Sequence, residues 1–384
     1  MRRAGLTLLI VALAAVGCES GPEPAPEPVA LGWRSVAVPV PPGGPGEVML
    51  RDAVACPGVW FAVGAVRDSA GGTRPAAWTS PDGTAWSSLT VAPDSYYGKQ
   101  NVLSSVACKD GRLAALGAKA GGAHAYPRTS SWYQDAAGVV REAKAPFILF
   151  GGSTALNVAR MDAGPAGFLI SGNRMSGAAV WKSPDAVKFT ILEAAPVLKS
   201  DAEGETWAFD SVGTADGWLL VGGLLKPGRT DRDPLGWRSA DGSVWQRVPA
   251  AGATDGYEEF QRVVLRDAVP VAVGLRGPSF GAWRLESGQW QPAGSFGSLG
   301  TSGLSGIRAL SVSGGRLFCV TTDGSAHALW ISDDAGTSWR TAGLPVAAPV
   351  AGESALAVAG GAGRAVLVWD DGKDGRIYVS ETGT

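Results

Sequence analysis

Six arginines occupy corresponding places in an internal repeat. They are Arg74, Arg128, Arg174, Arg232, Arg276 and Arg376. A guanidinium presents a planar fork of donors that suits a carboxylate or a phosphate. Three aromatic residues lie in or near these stretches, namely Tyr126, Trp207 and Tyr257. If these side chains meet, they form a cationic, aromatic site for an anionic ligand or an acidic segment of a partner. Alternatively, each arginine pairs with a nearby acid such as Asp68, Asp231 or Asp233, or stays solvated.

The other reactive residues form no recognisable catalytic or metal-binding motif. The two histidines, His124 and His327, fall in different repeat units and have no partner at metal-site spacing. No Gly-x-Ser-x-Gly sequence indicates a nucleophile elbow. Hydrolysis of a glycan usually needs two facing carboxylates, and nothing in the sequence shows such a pair converging. The available acids are Asp231, Asp233, Glu258 and Glu259. We therefore predict no metal site and no cofactor.

The elements that position these residues come from seven copies of one phrase. Each copy opens with an aromatic residue, and these residues follow one another at intervals of 46 to 56 residues. They are Trp78, Trp132, Trp181, Trp237, Trp283, Trp330 and Tyr378. Such a period accommodates four short strands with tight turns, which is one blade of a β-propeller. The runs between turns are rich in β-branched and aromatic residues, and none is typical of an amphipathic helix.

The seventh copy is divided between the two ends of the chain. The segment from Tyr378 to Thr384 stops before its closing tryptophan, and Gly32 and Trp33 supply the missing positions. We therefore predict an all-β fold, a seven-bladed β-propeller with four-stranded blades, in which the N-terminal strand around Trp33 closes the last blade. A six-bladed ring is the alternative, if the degenerate second unit is not a blade.

The clearest copies resemble the Asp-box, or bacterial neuraminidase repeat, Ser-x-Asp-x-Gly-x-x-Trp. One copy matches it in full and two are one residue shorter: Ser332, Asp334, Gly336 and Trp339; Ser80, Asp82, Gly83 and Trp86; Ser239, Asp241, Gly242 and Trp245. The resemblance implies structural roles, because the short polar side chains fold back onto backbone N–H groups. Sialidases of this family also carry an Arg-Ile-Pro sequence, which this chain lacks. The resemblance therefore implies no catalytic role for these residues.

The first residues are typical of an export signal. Arg2 and Arg3 precede an apolar run that is too short to span a bilayer stably. The run and Cys18 resemble a bacterial lipoprotein signal, which implies that Cys18 carries the lipid; ordinary cleavage nearby is the alternative. We predict a signal peptide over 1–17, a lipidated Cys and Pro-rich tether over 18–30, and the propeller over 31–384. Export by the Sec route is favoured over the twin-Arg route.

Two further cysteines occupy the same place in successive repeat units. Cys56 and Cys108 should therefore lie on neighbouring blades, and an oxidising exterior permits a disulfide between them. The bond requires the two Cα atoms to approach within about 7 Å, which the sequence leaves open. Cys319 is predicted to be a buried strand residue.

These features favour a monomeric, membrane-anchored binding or assembly module over an enzyme. The expected partner on the outer face of the cell membrane is an envelope protein or a glycan, including an anionic one. The net charge of −2 gives no electrostatic reason to expect nucleic acid, and the membrane is contacted through the lipid only. One alternative is a glycan-acting hydrolase or lyase, which predicts two facing carboxylates. Another is a structural envelope protein, which predicts no pocket beyond the central channel.

Overall fold

The computed structural model describes residues 27–121, 126–252, 256–301 and 304–382. Within these ranges the chain forms 29 strands in seven sheets, and no described residue lies in an α-helix. The inner strand of each sheet packs against the inner strands of its two neighbours, so the sheets close into a ring. The predicted seven-bladed β-propeller is confirmed. The predicted signal peptide, Cys18 and most of the tether lie outside the described residues and remain predictions.

The first three complete blades follow the chain from Glu47 to Leu192. The strand β1 (Arg34–Val36) precedes them and belongs to the last blade. Their strands are β2 (Glu47–Cys56), β3 (Val59–Arg67), β4 (Thr73–Ser80) and β5 (Ser87–Ser88) in blade 1; β6 (Val91–Ala92), β7 (Val102–Lys109), β8 (Arg112–Gly121), β9 (Tyr126–Gln134) and β10 (Val140–Glu142) in blade 2; and β11 (Ala155–Gly164), β12 (Gly167–Arg174), β13 (Gly177–Ser183) and β14 (Thr190–Leu192) in blade 3.

The remaining four blades repeat the same plan. Their strands are β15 (Glu205–Thr214), β16 (Gly217–Leu225), β17 (Arg232–Ser239) and β18 (Gln246–Pro249) in blade 4; β19 (Glu258–Arg266), β20 (Val269–Arg276), β21 (Ser279–Glu286) and β22 (Gln289–Phe296) in blade 5; β23 (Gly306–Ser313), β24 (Arg316–Thr322), β25 (His327–Ser332) and β26 (Arg340–Ala342) in blade 6; and β27 (Ala355–Gly361), β28 (Arg364–Asp370) and β29 (Gly375–Glu381) in blade 7.

Blade 2 departs from the four-stranded plan. Its outermost position is taken by β6, which comes from the segment between blades 1 and 2 and pairs in parallel with β10. Two 3₁₀ helices flank the same blade: η1 (Gly98–Gln100) precedes its inner strand and η2 (Phe147–Leu149) follows its outer strand. The connections around blade 2 are therefore more elaborate than elsewhere among the described residues.

The N-terminal strand closes the ring, as predicted. Strand β1 pairs antiparallel with β29, and Ser35 lies opposite Tyr378. The indole Nε1 of Trp33 donates to the carbonyl of Gly343 in blade 6, at 2.9 Å. Trp33 thus joins blade 7 to blade 6, whereas Trp86 of the first repeat turn donates back to its own turn, at Gly83.

The repeated turns use their polar residues on their own backbone. In the first, the N–H of Gly83 donates to Ser80 Oγ at 2.9 Å and the N–H of Thr84 donates to Asp82 Oδ1 at 2.8 Å. The bond from the N–H of Thr84 is the largest of those that lower the pKa of Asp82 to about 2. Gly83 adopts a φ of 81°, a conformation that suits glycine. The equivalent Gly-to-Ser bonds at Ser239 and Ser332 are both 2.9 Å. The three turns therefore have no polar group that needs a ligand.

The tryptophans that open the phrases form the core between blades. Five of them are almost completely buried: Trp78, Trp132, Trp181, Trp237 and Trp283. The indole N–H groups of the first four donate to acceptors in the segments that lead into their blades, as Trp78 does to the carbonyl of Pro39, at 2.7 Å. A buried indole usually needs such a partner. In these four blades the opening tryptophan therefore has two roles. Its ring fills the core, and its indole N–H binds the segment that enters the blade.

A disulfide joins blades 1 and 2. Cys56 and Cys108 are bonded, with their Cα atoms 6.0 Å apart, near the ends of two neighbouring inner strands. Cys319 lies buried in β24, as expected, and burial raises the pKa of its thiol.

No helix among the described residues combines the length and the apolar character that crossing a bilayer requires.

Candidate functional site

One position recurs on the inner strands along the central channel, and in five blades it carries a charged or polar side chain. In six blades the inner strand carries a β-bulge, and a residue directly after it lies four places before the strand ends. These residues are Asp52, Ser105, Arg160, Asp210, Arg262 and Ala309. None of these residues belongs to the repeated phrase or to the six predicted arginines. Their common distance from the end of the inner strand was the signal that could have found them.

The polar channel residues satisfy backbone groups between blades. Neighbouring inner strands form no ladder with each other, so their N–H groups need other acceptors. At each of the seven junctions a side chain of one blade accepts from an N–H of the next. The acceptors, in ring order, are Asp52 from Val106, Ser105 from Met161, Asp162 from Gly213, Asp210 from Val263, Gln261 from Ile307, Ser311 from Gly360, and Asp370 from Leu50. This arrangement is structural.

The channel charges also neutralise one another. Arg160 lies 3.0 Å from Asp52 and 3.7 Å from Asp210. Arg262 donates to the carbonyls of Gln261 and Arg308, and burial beside Arg160 lowers its pKa to about 10. A cavity of about 270 Å³ remains in the channel. Burial raises the pKa of Asp162, on its wall, to about 7. The channel therefore pairs Arg160 with two acids, and burial raises the pKa of two of its carboxyl groups, Asp162 and Asp210.

The predicted arginines behave as a repeated structural device. Five of the six guanidinium groups lie over an aromatic ring. The pairs are Arg128 with Phe147 at 4.6 Å and with Tyr97 at 5.7 Å, Arg174 with Trp181 at 5.8 Å, Arg232 with Trp207 at 5.5 Å, Arg276 with Trp283 at 5.9 Å, and Arg376 with Trp369 at 5.8 Å. The expected association of cationic and aromatic side chains is present, but it occurs blade by blade. Arg74 and Arg128 line separate cavities.

Most of these arginines already have polar partners. Four bind acids: Arg174 with Glu193, Arg232 with Glu259, Arg276 with Glu258 and Arg376 with Asp374. Arg74 donates to the carbonyls of Pro41 and Gly44, both at 2.9 Å. The acids named in the sequence-based alternative have other partners. Asp68 caps its own turn, while Asp231 and Asp233 bind Arg229 and Lys226.

Arg128 is different from the other five. No carboxylate of a described residue lies within 4.0 Å of its guanidinium, and its Nε is buried without a hydrogen-bond partner. Its attractive contacts are with the rings of Phe147 and Tyr97. A guanidinium held in this way retains donors for an acceptor that the described residues do not supply. Arg128 is therefore the strongest candidate for ligand binding.

Arg128 lies in a pocket of about 420 Å³ that blade 2 forms with the connecting segments before and after it, which we call the Arg128 pocket. Two glycines make room for its aromatic walls. A Cβ on Gly121 would come within 2.3 Å of the Tyr97 ring, and a Cβ on Gly151 within 2.5 Å of the Phe147 ring. Neither glycine is among those with positive φ, so close approach is the reason for glycine here. The exposed Tyr126, two residues before Arg128, also belongs to this region.

Glu142 also lines the Arg128 pocket, and its carboxylate is fully engaged. The N–H groups of Asp94 and Ser95 each donate to Oε2 at 2.8 Å. The hydroxyls of Ser95 and Ser130 donate to Oε1 at 2.6 and 2.9 Å. Burial alone would raise the pKa of Glu142, but these bonds outweigh burial and hold the pKa below its ordinary value. Glu142 is therefore an ionised acceptor that shapes the wall.

The other predicted aromatic residues meet at blades 4 and 5. Arg232 donates to the hydroxyl of Tyr257 at 2.9 Å and to Glu259 at 3.0 Å, beside the ring of Trp207. Tyr257 donates to Glu259 at 2.7 Å. Burial and the neighbouring Glu259 raise the pKa of Tyr257, which is opposite to the shift that activates a phenol as a nucleophile. This cluster is internally satisfied.

Among the residues that the structure describes, the candidate catalytic and metal-binding side chains do not assemble into a site. Asp231, Asp233, Glu258 and Glu259 are each bonded to a cationic side chain. His327 is buried, and a nitrogen of its ring lies 3.2 Å from the carbonyl of Ala348; His124 lies outside the described residues. Within the described part of the chain, no three His, Cys, Asp or Glu side chains converge as metal ligands would.

Comparison with known proteins places the fold. No protein-family model and no curated protein sequence matches the chain. It is similar to the structure of a puromycin-hydrolyzing peptidase of Mycobacterium tuberculosis, with a TM-score of 0.54 and 11% identity, over 88% of this chain and 51% of that one. The chain thus spans about half the length of that peptidase, and the likeness shows the propeller fold alone.

Two further solved structures are similar at lower TM-scores. The β-propeller domain of the Trilobed protease from Pyrococcus furiosus has a TM-score of 0.46 and 9% identity, over 88% of this chain and 96% of that one. Trypanosoma rangeli sialidase in complex with sialic acid has a TM-score of 0.42 and 12% identity, over 92% of this chain and 60% of that one.

Proposed function

We propose that this chain is a non-catalytic binding or assembly module of the Asp-box propeller type, which captures an anionic group of its partner at the Arg128 pocket. The observation that carries the proposal is the unpaired guanidinium of Arg128, held against two aromatic rings in a pocket. A carboxylate or phosphate that reaches it gains charge-assisted hydrogen bonds, each worth about 1.5 to 3 kcal/mol.

The state of the carboxylates favours binding over hydrolysis. General acid catalysis by a carboxyl group needs a raised pKa, and a nucleophile or base needs a free oxygen. Glu142 in the Arg128 pocket has a lowered pKa and four donors on its two oxygens. The carboxylates around Tyr257 are paired with arginines. These observations support a module without catalysis at the Arg128 pocket and at the Tyr257 cluster, where the carboxylates are already engaged by donors or arginines.

We further propose that the chain is anchored to the outer face of the cell membrane through a lipid on Cys18. The chain enters the propeller where Val29 bridges to Ala342 in blade 6 and β1 pairs in blade 7. In the ring order, blade 2 with the Arg128 pocket is two blades from blade 7 and three from blade 6. A Pro-rich tether extends about 3.1 Å per residue. Such an anchor would hold the edge of blades 6 and 7 toward the membrane and leave the Arg128 pocket accessible to a partner.

The test is a combined array of acidic peptides and anionic oligosaccharides, probed with the purified full chain. Arg128→Gln should weaken the retained ligands at least tenfold because their anionic group loses its counterion. Arg376→Gln is the matched control, since Arg376 also lies in the third strand of its blade and over an aromatic ring, but is exposed and bound to Asp374. Equal binding by all three proteins, or breakdown of an oligosaccharide by the wild-type chain, would contradict the proposal.

A further inference from the structure

We infer that the Arg128 pocket recognises a polypeptide segment in which an acidic residue lies beside large apolar side chains. The inference rests on the proposed function and names the class of partner. It follows from three properties of the site: the polar groups of its wall, the apolar surface around it and its single uncompensated charge.

The first property is that the hydroxyl groups beside Glu142, and Glu142 itself, are already used. The hydroxyls of Ser95 and Ser130 both donate to Glu142, and the two oxygens of Glu142 have four donors between them. A glycan would bring many hydroxyl groups into the pocket and find few free partners there. Burying hydroxyls without hydrogen bonds is costly, so the wall disfavours a sugar.

The second property is the apolar surface that surrounds the pocket. Tyr96, Phe147 and Ile148 are 72%, 62% and 68% exposed. The surface continues onto blade 3 through the exposed Met175. Two bonds tie these segments together: Arg174 donates to the carbonyl of Ile148 at 2.9 Å, and the N–H of Met175 donates to Thr154 at 2.9 Å. A rigid patch of exposed large apolar side chains is typical of a protein interaction site.

The third property is the charge at the centre of this surface. Asp94 is 3.7 Å from the exposed Lys144, and Glu142 is satisfied by its own donors. Arg128 is therefore the cation in the pocket wall that has no acid beside it among the described residues. A complementary partner places one carboxylate at Arg128 and apolar side chains on Phe147 and Ile148.

The space available suits an extended segment. A second cavity of about 710 Å³ adjoins the Arg128 pocket and shares Asp94 and residues 142–146 with it. Tyr133, Leu149 and Phe189 contribute apolar surface to its lining. Together the cavities offer a groove with several apolar walls and with cationic side chains at Arg128, Arg141, Lys144 and Lys188. Such a groove matches alternating acidic and apolar side chains better than a single small ligand.

The experiment selects peptides of eight random residues, displayed on phage, on the immobilised full chain, with counter-selection on Arg128→Gln. We expect the enriched peptides to carry Asp or Glu next to Leu, Ile, Phe or Met. Replacing the acid of a selected peptide by its amide should weaken binding at least tenfold in a titration. Ile148→Ser should weaken it several-fold, while Val244→Ser, at an exposed valine of the repeat turn in blade 4, should leave it unchanged.

Each contrary outcome has a distinct meaning. Enriched peptides without acidic residues, or an acid-to-amide change without effect, overturn the inference. If no peptide is enriched but an array of anionic oligosaccharides yields a ligand that depends on Arg128, the inference fails and the proposed function stands. If neither selection yields a ligand that depends on Arg128, both fail.

Discussion

The central channel and the Arg128 pocket both hold arginines away from bulk water, but they treat the charge differently. In the channel Arg160 lies 3.0 Å from Asp52 and 3.7 Å from Asp210, and both acids also accept backbone N–H groups. In the pocket, Arg128 has two rings against it and no acid within 4.0 Å among the described residues. Burial of a charged residue therefore does not by itself mark a functional site. The absence of a partner is the more informative property.

The difference arises from the backbone N–H groups for which the side chains of each region must provide hydrogen-bond acceptors. The channel contains the inner strands, whose N–H groups face the next blade without a ladder partner, so its polar side chains have structural duties. The pocket lies between connecting segments, where η1 and η2 satisfy much of their own backbone. A side chain there is available for an external ligand.

The largest expected effect is at Asp52, and it tests the structural half of the comparison. Asp52→Ala leaves Arg160 without its nearer partner and leaves the N–H of Val106 without an acceptor. We expect a loss of about 3 to 5 kcal/mol in the free energy of unfolding, measured with urea. Asp52→Asn keeps an acceptor and should lose less. Arg128→Gln should be measured in the same way. If it lowers the free energy of unfolding as much as Asp52→Ala does, the distinction between the two regions is wrong.

The pH dependence of stability separates the carboxyl groups of the two regions. Burial raises the pKa of Asp162 from 3.8 to about 7, so the folded chain retains a proton that the unfolded chain releases. Stability from this group is complete below pH 3.8 and is lost as the pH rises toward 7. Through this group the wild-type chain should lose about 1 to 3 kcal/mol of unfolding free energy between pH 5 and pH 8. Asp162→Asn should not show this loss, because the amide has no proton to lose.

Glu142 in the pocket is the control for this measurement. Its pKa is lowered, so the stability that it contributes is present at neutral pH and is lost as the pH falls into the acid range. Glu142→Gln should change the acid limb of the stability curve and leave the difference between pH 5 and pH 8 in place. Parallel curves for wild type and Asp162→Asn between pH 5 and pH 8 would rule out the raised pKa of Asp162.

The smallest expected effect tests whether the Phe147 ring holds Arg128 in position for a ligand. Gly151→Ala places a Cβ where the Phe147 ring now lies, so the ring must move from Arg128. Because Phe147 is largely exposed, we expect a change of less than about 1 kcal/mol in stability. Affinity for a selected ligand should fall about fivefold, since a cation–π contact is worth about 0.5 to 1 kcal/mol.

A glycine with room for a side chain provides the matched control for Gly151→Ala. The nearest atom to a Cβ on Gly343 would be the carbonyl oxygen of Val29, at 3.7 Å. Gly343→Ala should leave affinity, measured by titration, and the melting temperature nearly unchanged. Equal affinity of the Gly151 and Gly343 variants would show that Phe147 does not help to position Arg128.

The recurrence of the arginines could be read from the sequence, but the one that differs could not. Arg128 lies in the third strand of blade 2, whereas Arg174 ends the second strand of blade 3. Arg174 meets Glu193 and the carbonyl of Gly151, whereas the ring of Phe147 lies over Arg128. These partners come from connecting segments without a repeat, so no pattern along the chain identifies them. The channel residues did have a pattern, in their fixed distance from the end of the inner strand.

The sequence by itself determined the ring, its seven blades and its closure by β1, because the repeat and the turn bonds act between residues that are close in the chain. The bond from Gly83 to Ser80 spans three residues, and the pairing of β1 with β29 joins the two halves of the seventh repeat unit. Tertiary structure alone decided which charges are neutralised. The contact of Arg160 with Asp52 joins residues 108 positions apart, and it depends on how whole blades pack around the channel. The same packing leaves Arg128 without an acid.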